Sequence, residues 1–406
     1  MKDDKILWVK NTMPKSEDKG LAIMAPEESA KAMAFHRSFP QYKVTPLAEL
    51  SGMAENLGVS RIFVKDESYR FGLNAFKVLG GSYAMARYIA EKTGKDISDV
   101  DYAYLTSDSL KREFGQTTFY TATDGNHGRG IAWAANRLGQ KADIIMPVGS
   151  SEIRLRRIQT EGATACISDM NYDDCVRAAY AKSLKDDKGV MIQDTAWEGY
   201  EDIPAWIMQG YGTMAAEADR QLAEAGAGRP THIFVQAGVG SMAGAVSGYF
   251  ANKYGAACPL IVVVEANSAA CLYKSACAGD GSIHNVSGDL RTIMAGLACG
   301  EANTISWNIL RDKVSAFVSA PEWAAAKGMR MLGCPIKGDP QVVSGESGAV
   351  PFGVFCATMQ NPEYADLKSA IGLDENSVVL CFSTEGDTDP ENYRRIVWDG
   401  AYGSEM

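Results

Sequence analysis

Short continuous apolar runs alternate along most of this chain with stretches whose apolar positions recur at helical spacing, and glycine-rich turns separate the two kinds. The runs at 117–121, 142–146, 164–167, 190–193, 232–236, 260–264, 316–318 and 378–382 predict strands. The stretches at 130–138, 152–161, 172–184, 203–225 and 242–254 predict helices, with further helices near 322–332 and 348–359. Nearer the start, 62–64 reads as a strand, and 47–57 and 78–92 read as helices. Residues 1–45 are polar with scattered apolar positions and predict a segment packed on the surface. The stretch 268–306 is rich in glycine and serine, and its weak periodicity assigns it no element. Strands apolar on both faces, alternating with helices, predict parallel sheets covered on both sides, a doubly wound α/β arrangement. The polar turn Gly226-Ala227-Gly228-Arg229-Pro230 marks a boundary between two such lobes.

Composition narrows the class. At 406 residues, 46% hydrophobic and 22% charged, the chain has material for two or three domains or one large α/β enzyme. A net charge of −10 argues against general affinity for nucleic acid or an anionic membrane. No apolar run reaches the length of a membrane span, and the opening MKDDKILWVKNTMP lacks the apolar core of a signal peptide. Nine cysteines, odd in number and without CxxC spacing, read as cytoplasmic thiols rather than a zinc site or a disulfide framework. Among them Cys271, Cys277 and Cys299 stand close enough in sequence for one pair to meet, although free thiols are the favoured reading. With four histidines and no HExxH, no catalytic metal is expected.

Four turns carry candidate chemistry. Lys77, in Asn74-Ala75-Phe76-Lys77-Val78, lies between a strand and a helix, where Phe76 and Val78 keep water away. Such a lysine can form a Schiff base with an aldehyde, and desolvation is expected to favour its neutral amine. Residues 232–244, HIFVQAGVGSMAG, run from a strand through a glycine-rich turn into a helix, a site for a phosphate or carboxylate at unpaired helix N–H groups. The loop Thr123-Asp124-Gly125-Asn126-His127 offers hydroxyl, amide and backbone donors for a small carboxylate, or simply a helix cap. Ser383 and Thr384 follow a strand, where open α/β sheets place ligand contacts, with Glu385, Asp387 and Asp389 reading in part as surface acids. Asp194 also ends a strand, as a buried carboxylate or a cap. A phosphate cradle, a lysine, a carboxylate loop and a strand-end hydroxyl together match pyridoxal 5'-phosphate.

The segments NAFKVLGG, TDGNHG, GVGSMAG and STEGDTD resemble the fold type II, tryptophan synthase β-like, pyridoxal-phosphate enzymes, over about residues 44–390. Within that family, KDESYRFGLNAFKVLGG, TATDGNHGRG, QDTAWEGY and STEGDTD are similar to the diaminopropionate ammonia-lyase branch. The resemblance implies a large cofactor-binding domain of residues 1–94 and 229–406, and a small domain of 95–228 carrying the substrate-carboxylate loop. It implies Lys77 as the Schiff-base lysine, Asn126 at the phenolic oxygen, Gly238, Val239, Gly240, Ser241 and Met242 at the phosphate, and Ser383 or Thr384 at the ring nitrogen. Thr123, Asp124, Gly125, His127 and Asp194 would meet the substrate. Where dehydratases of the family usually carry serine, this chain has Asp124, a carboxylate suited to the second, cationic amino group of a 2,3-diamino acid.

The implied reaction is elimination of ammonia from 2,3-diaminopropionate, giving pyruvate and two ammonia. Lys77 would be the base for one isomer and Asp124 for the other, with Asp194 a further charge partner. A serine or threonine dehydratase is the alternative, a β-replacement synthase a more distant one, and a non-catalytic binding protein or a nicotinamide oxidoreductase more distant still. The family also implies a homodimer acting on a small amino acid, while cysteine usage, charge and motifs point to a cytoplasmic enzyme with no metal, nucleic-acid or membrane partner.

Overall fold

The computed structural model describes residues 4–18 and 20–403. Among them eleven strands form two sheets. The strands are β1 (Leu7–Lys10), β2 (Leu47–Glu49), β3 (Arg61–Asp66), β4 (Thr118–Ala122), β5 (Lys141–Met146), β6 (Thr164–Ile167), β7 (Gly189–Met191), β8 (His232–Gln236), β9 (Leu260–Ala266), β10 (Ala316–Ala320) and β11 (Val378–Ser383). Seven strands lie in the order β1-β10-β9-β8-β11-β3-β2, and four in the order β6-β5-β4-β7. The four-stranded sheet is wholly parallel. The larger sheet is parallel except at its edges, where β1 and β2 run antiparallel to β10 and β3. Every residue of β8 and β10 is buried, as expected of strands covered by helices on both faces. The architecture is the mostly parallel α/β arrangement that the alternating pattern predicts.

Three stretches differ from the reading of the pattern. Residues 47–57 do not form one helix: Leu47–Glu49 pairs along the open side of β3, and the helix runs only from Ser51 to Leu57. Its first turn is capped by Asp339, whose carboxylate accepts the Gly52 and Met53 amides at 2.7 and 2.8 Å. No local pattern reveals a cap so far along the chain. Residues 1–45 do more than cover the surface, since β1 closes one edge of the large sheet and helix Pro26–Arg37 packs on helix Asp202–Glu224. In the unassigned stretch 268–306, helix Cys271–Ala278 forms behind β9. There the Glu265 carboxylate accepts the Leu272 and Tyr273 amides at 2.9 and 2.6 Å.

The helix after Lys77, Val78–Lys92, is held between helices Asn126–Arg137 and Asp202–Glu224. Glycines stand at both contacts. A Cβ on Gly130 would lie 2.8 Å from the Val78 nitrogen and 3.1 Å from the Lys77 carbonyl carbon. One on Gly210 would lie 2.4 Å from the Leu79 carbonyl oxygen. Backbone therefore meets backbone on two sides of the first helical turn, which fixes where residue 77 begins. Because rigid main chain rather than a movable side chain lines the gap, Gly130→Ala must push two helices apart. It should lower stability by about 1–3 kcal/mol, read as a fall in the denaturation midpoint, and a midpoint within error of the parent would show that the contact is loose.

Candidate active site

The turn bearing Lys77 is stitched to the loop that follows β11. The Phe76 amide donates to the Thr384 carbonyl at 3.1 Å, Gly386 N–H donates to Asn74 O at 3.0 Å, and the Asn74 side-chain amide donates to Asp387 at 3.0 Å. From this turn the Lys77 ammonium reaches the Asp194 carboxylate, which enters from beyond β7. Phe76 lies beneath, its ring centroid 5.6 Å from the Lys77 nitrogen and 4.7 Å from that of Tyr211. Burial works against a charge on Lys77, but Asp194 outweighs it and pushes the amine well above its ordinary range. The sequence-based expectation of a desolvated neutral amine is therefore reversed by a partner 117 positions away. On the other side of the pair, burial acts to raise the Asp194 carboxyl, and the Lys77 charge holds it down at about 2.

Asp194 is itself fixed by its backbone. Its carbonyl accepts from the Ser241 hydroxyl and, at 3.1 Å, from the Asn303 side-chain amide. His127 stands nearby, with Nδ1 3.9 Å from the Asp194 carboxylate and Nε2 2.9 Å from the Ile192 carbonyl. Burial lowers the His127 pKa, so the ring is neutral, and the carbonyl at Nε2 places its proton there. Nδ1 is left with no hydrogen-bond partner.

Helix Asn126–Arg137 starts earlier than its apolar period suggests, so Asn126 and His127 belong to its first turn rather than to a loop. The Thr123 hydroxyl oxygen accepts the Gly125 and Gly128 amides at 2.9 and 3.0 Å and caps that turn. Asn126 donates its side-chain amide to Glu385. Asp124, expected as a charge partner for the substrate's second amino group or as a helix cap, is paired with Arg154 at 3.4 Å.

The third wall is the start of helix Ser241–Tyr254, approached through Gly238-Val239-Gly240. Gly240 has φ +100°, and a Cβ on Gly238 would lie 2.9 Å from the Gly296 carbonyl oxygen. These two glycines keep the helix N-terminus bare, with first-turn N–H groups that no intrahelical carbonyl can satisfy. The Ser241 hydroxyl is spent on Asp194 and accepts from Asn303 at 2.8 Å, so residue 241 offers the turn its backbone.

All the residues singled out from sequence line one cavity except Gly125 and Ser383. Gly125 gives its amide to Thr123 and faces Arg154, whose Cδ would stand 2.8 Å from an added Cβ. Ser383 is turned away and donates to the Ser344 hydroxyl at 2.8 Å. Of the two strand-end hydroxyls, Thr384 faces the cavity, accepting from Gln236 at 2.6 Å and keeping its own proton to give.

Sequence reasoning missed Tyr172, Gln236, Cys299, Ser347 and Glu385, which also line the cavity. Glu385, one of three acids that read in part as surface residues, is buried and accepts from Asn126 and, at 3.1 Å, from the Ser347 amide. Its position two residues past Ser383 was the available signal. Cys299 lies in the patternless stretch, which carried none. A wider cleft adjoins the cavity at Tyr172, Val239 and Cys299 and reaches solvent beside the exposed Arg177–Glu301 pair. Among the described residues, no three His, Cys, Asp or Glu converge to hold a metal ion.

The cavity leaves Ser347 Oγ, His127 Nδ1 and Gln236 Oε1 without hydrogen-bond partners, beside a bare helix N-terminus and one lysine. That combination of unpaired polar atoms, bare helix amides and one amine fits pyridoxal phosphate, which brings an anionic phosphate, an aldehyde and ring heteroatoms.

The model of the family described as "Pyridoxal-phosphate dependent enzyme" matches residues 39–366. Over 382 residues the chain is 51% identical to the diaminopropionate ammonia-lyase of Salmonella typhimurium, covering 94% of each. The crystal structure of the Escherichia coli diaminopropionate ammonia lyase with D-serine aligns at TM-score 0.91 and 44% identity, covering 98% of each chain. Its complex with the aminoacrylate-PLP azomethine reaction intermediate aligns at TM-score 0.89 and 44% identity, again over 98% of each.

A carboxyl held below its ordinary 3.8 adds stability that is present above about pH 4 and is lost as pH falls towards 2. In the cofactor-free protein the melting temperature should therefore drop more steeply over that window than in Asp194→Asn. Parallel curves for the two proteins would show that the Lys77–Asp194 pair adds nothing to stability.

Proposed function

Because the chain belongs to the family of pyridoxal-phosphate dependent enzymes, we propose that it is a carbon–nitrogen lyase acting on 2,3-diaminopropionate of both D and L configuration. The products are pyruvate and two ammonia, with one water consumed. The observation that carries this reading is the convergence of Lys77, a bare helix N-terminus and the carboxylates Asp124 and Asp194 on one cavity.

Pyridoxal phosphate, when bound, supplies the electron-withdrawing system that accepts the electron pair left by a departing Cα proton. The N–H groups of Gly238 to Met242 would hold its phosphate, Lys77 its aldehyde carbon, Asn126 its phenolic oxygen and Thr384 its ring nitrogen. A neutral hydroxyl there would offer the ring nitrogen a hydrogen bond without a full charge opposite it, which suits an elimination. The Thr123 hydroxyl and the unpaired first-turn backbone N–H of His127 would orient the substrate carboxylate. Gly125, expected as a substrate contact, instead gives its N–H to Thr123 and lies outside the cavity lining.

Lys77 takes the Cα proton of one isomer and Asp124 that of the other. The Asp124 carboxylate also attracts the second ammonium of the substrate, which leaves as ammonia. Asp194 keeps the Lys77 proton within reach, and its pairing with Lys77 supports a role as charge partner rather than a helix cap. The aminoacrylate product then hydrolyses to pyruvate and the second ammonia.

On the same reading, residues 1–94 and 229–406 form the cofactor-binding domain around the larger sheet, and 95–228 the small domain around the four-stranded sheet. The protein is placed in the cytoplasm as a homodimer. Nine unpaired thiols support the reducing compartment, and no helix among the described residues is long and apolar enough to cross a membrane.

With the cofactor-loaded protein, both isomers of diaminopropionate should release two ammonia per pyruvate, and D-serine should react more slowly. Lys77→Ala should lose the visible absorption of bound cofactor. Asp124→Asn should lower kcat for one isomer by about 10²–10⁴-fold, the usual weight of a general base. Equal loss for the two isomers would refute the assignment of separate bases.

A further inference from the structure

Arg154 stands in the first turn of helix Glu152–Thr160, where the helix dipole disfavours a cation. It is also enclosed. Burial opposes its charge, yet Asp124, Glu385, Glu346 and Asp389 together outweigh burial and keep it a guanidinium. Only Asp124 among these carboxylates touches it, at 3.4 Å from Nη1. Its Nη2 lies 3.5 Å from the Thr388 hydroxyl oxygen, and its Nε has no partner.

The other acids are held by different groups, Glu385 by Asn126 and the Ser347 amide, Glu346 by Asn392 and Asp389 by the Asn392 amide. Asp124 has no second hydrogen bond from a side chain among the described residues. The Arg154 stem also lies across Gly125, so the loop carrying Asp124 rests on it. His127, Tyr172 and Cys299 face Asp124 from the cavity side. Burial keeps the histidine neutral and the phenol and thiol protonated, so Arg154 is the cation that fixes this carboxylate.

We propose that Arg154 is a positioning residue that orients Asp124 at the cavity edge, so that the two proposed bases have separate counter-charges, Asp194 for Lys77 and Arg154 for Asp124. This rests on the two-base reading above and adds the residue that makes the second base usable. Loss of Arg154 should then impair one isomer selectively, because Lys77 and its partner are untouched.

The test measures kcat and KM for D- and L-diaminopropionate with the cofactor-loaded enzyme. Arg154→Met keeps length without charge, and Arg154→Lys keeps charge without the fork. Arg154→Met should lower kcat at least about tenfold more for the isomer that depends on Asp124, with Arg154→Lys recovering part of the ratio. In an Asp124→Asn background, Arg154→Met should not change the ratio further. In the cofactor-free protein, the changes in melting temperature for Arg154→Met and Asp124→Asn should be non-additive, a readout independent of turnover. Parallel loss for both isomers in Arg154→Met, beside a selective Asp124→Asn, overturns this inference alone. A non-selective Asp124→Asn overturns the two-base reading and this inference with it.

Discussion

The site depends on one pair of opposite charges largely withdrawn from water, the half-buried Lys77 and the buried Asp194. A buried pair repays its desolvation only when geometry is fixed and the remaining hydrogen bonds are made, and breaking it by removing one partner leaves an unpaired charge. The chain meets this condition from both ends. Glycine contacts set the start of the Lys77 helix against two neighbours, while Ser241 and Asn303 grip the Asp194 backbone. The same Ser241 opens the helix whose N-terminus forms the anion cradle, so the charge pair and the cradle share one support.

Behind this layer lies a second set of enclosed charges. Lys65 and Arg70 face Glu67 and Glu217, with almost no exposure for any of them. Two cations meet two carboxylates, and Thr45, Gln221 and Tyr42 take up remaining hydrogen-bonding groups. The network ties β3 and the segment after it to helix Asp202–Glu224, on which the Lys77 helix rests. His36, held neutral at about 3 by burial and then by the Arg70 charge, completes the tie with a contact to the Leu79 carbonyl at 2.9 Å. The lysine is thus placed by rigid neighbours rather than by its own turn.

Much of this was legible in the sequence because the relevant signals are local. A strand, a glycine turn and a helix start are adjacent in the chain, and their order points to Lys77, the 123–127 loop, the 238–242 turn and the pair Ser383–Thr384. What was hidden depends on residues distant in sequence. The charge state of Lys77 is set by Asp194, the partner of Asp124 by a helix further on, and the strand at Leu47–Glu49 by the open edge of β3. Glu385 looked like a surface acid because burial is not written in its neighbours. The stretch 268–306 stayed opaque because its one full helix is capped by a carboxylate at the end of the preceding strand.

The strand order has a consequence for how the chain becomes active as it is made. β11, residues 378–383, lies between β8 and β3 near the middle of the large sheet, although it is the last strand among the described residues. Until it emerges, β8 and β3 each present an unpaired interior edge, and the loop with Thr384 and Glu385 does not exist to fasten the Lys77 turn. Synthesis must therefore proceed past Glu385 before the cavity closes. A nascent chain halted short of residue 378 would carry the lysine but not the pocket, and would expose two sheet edges prone to mispairing.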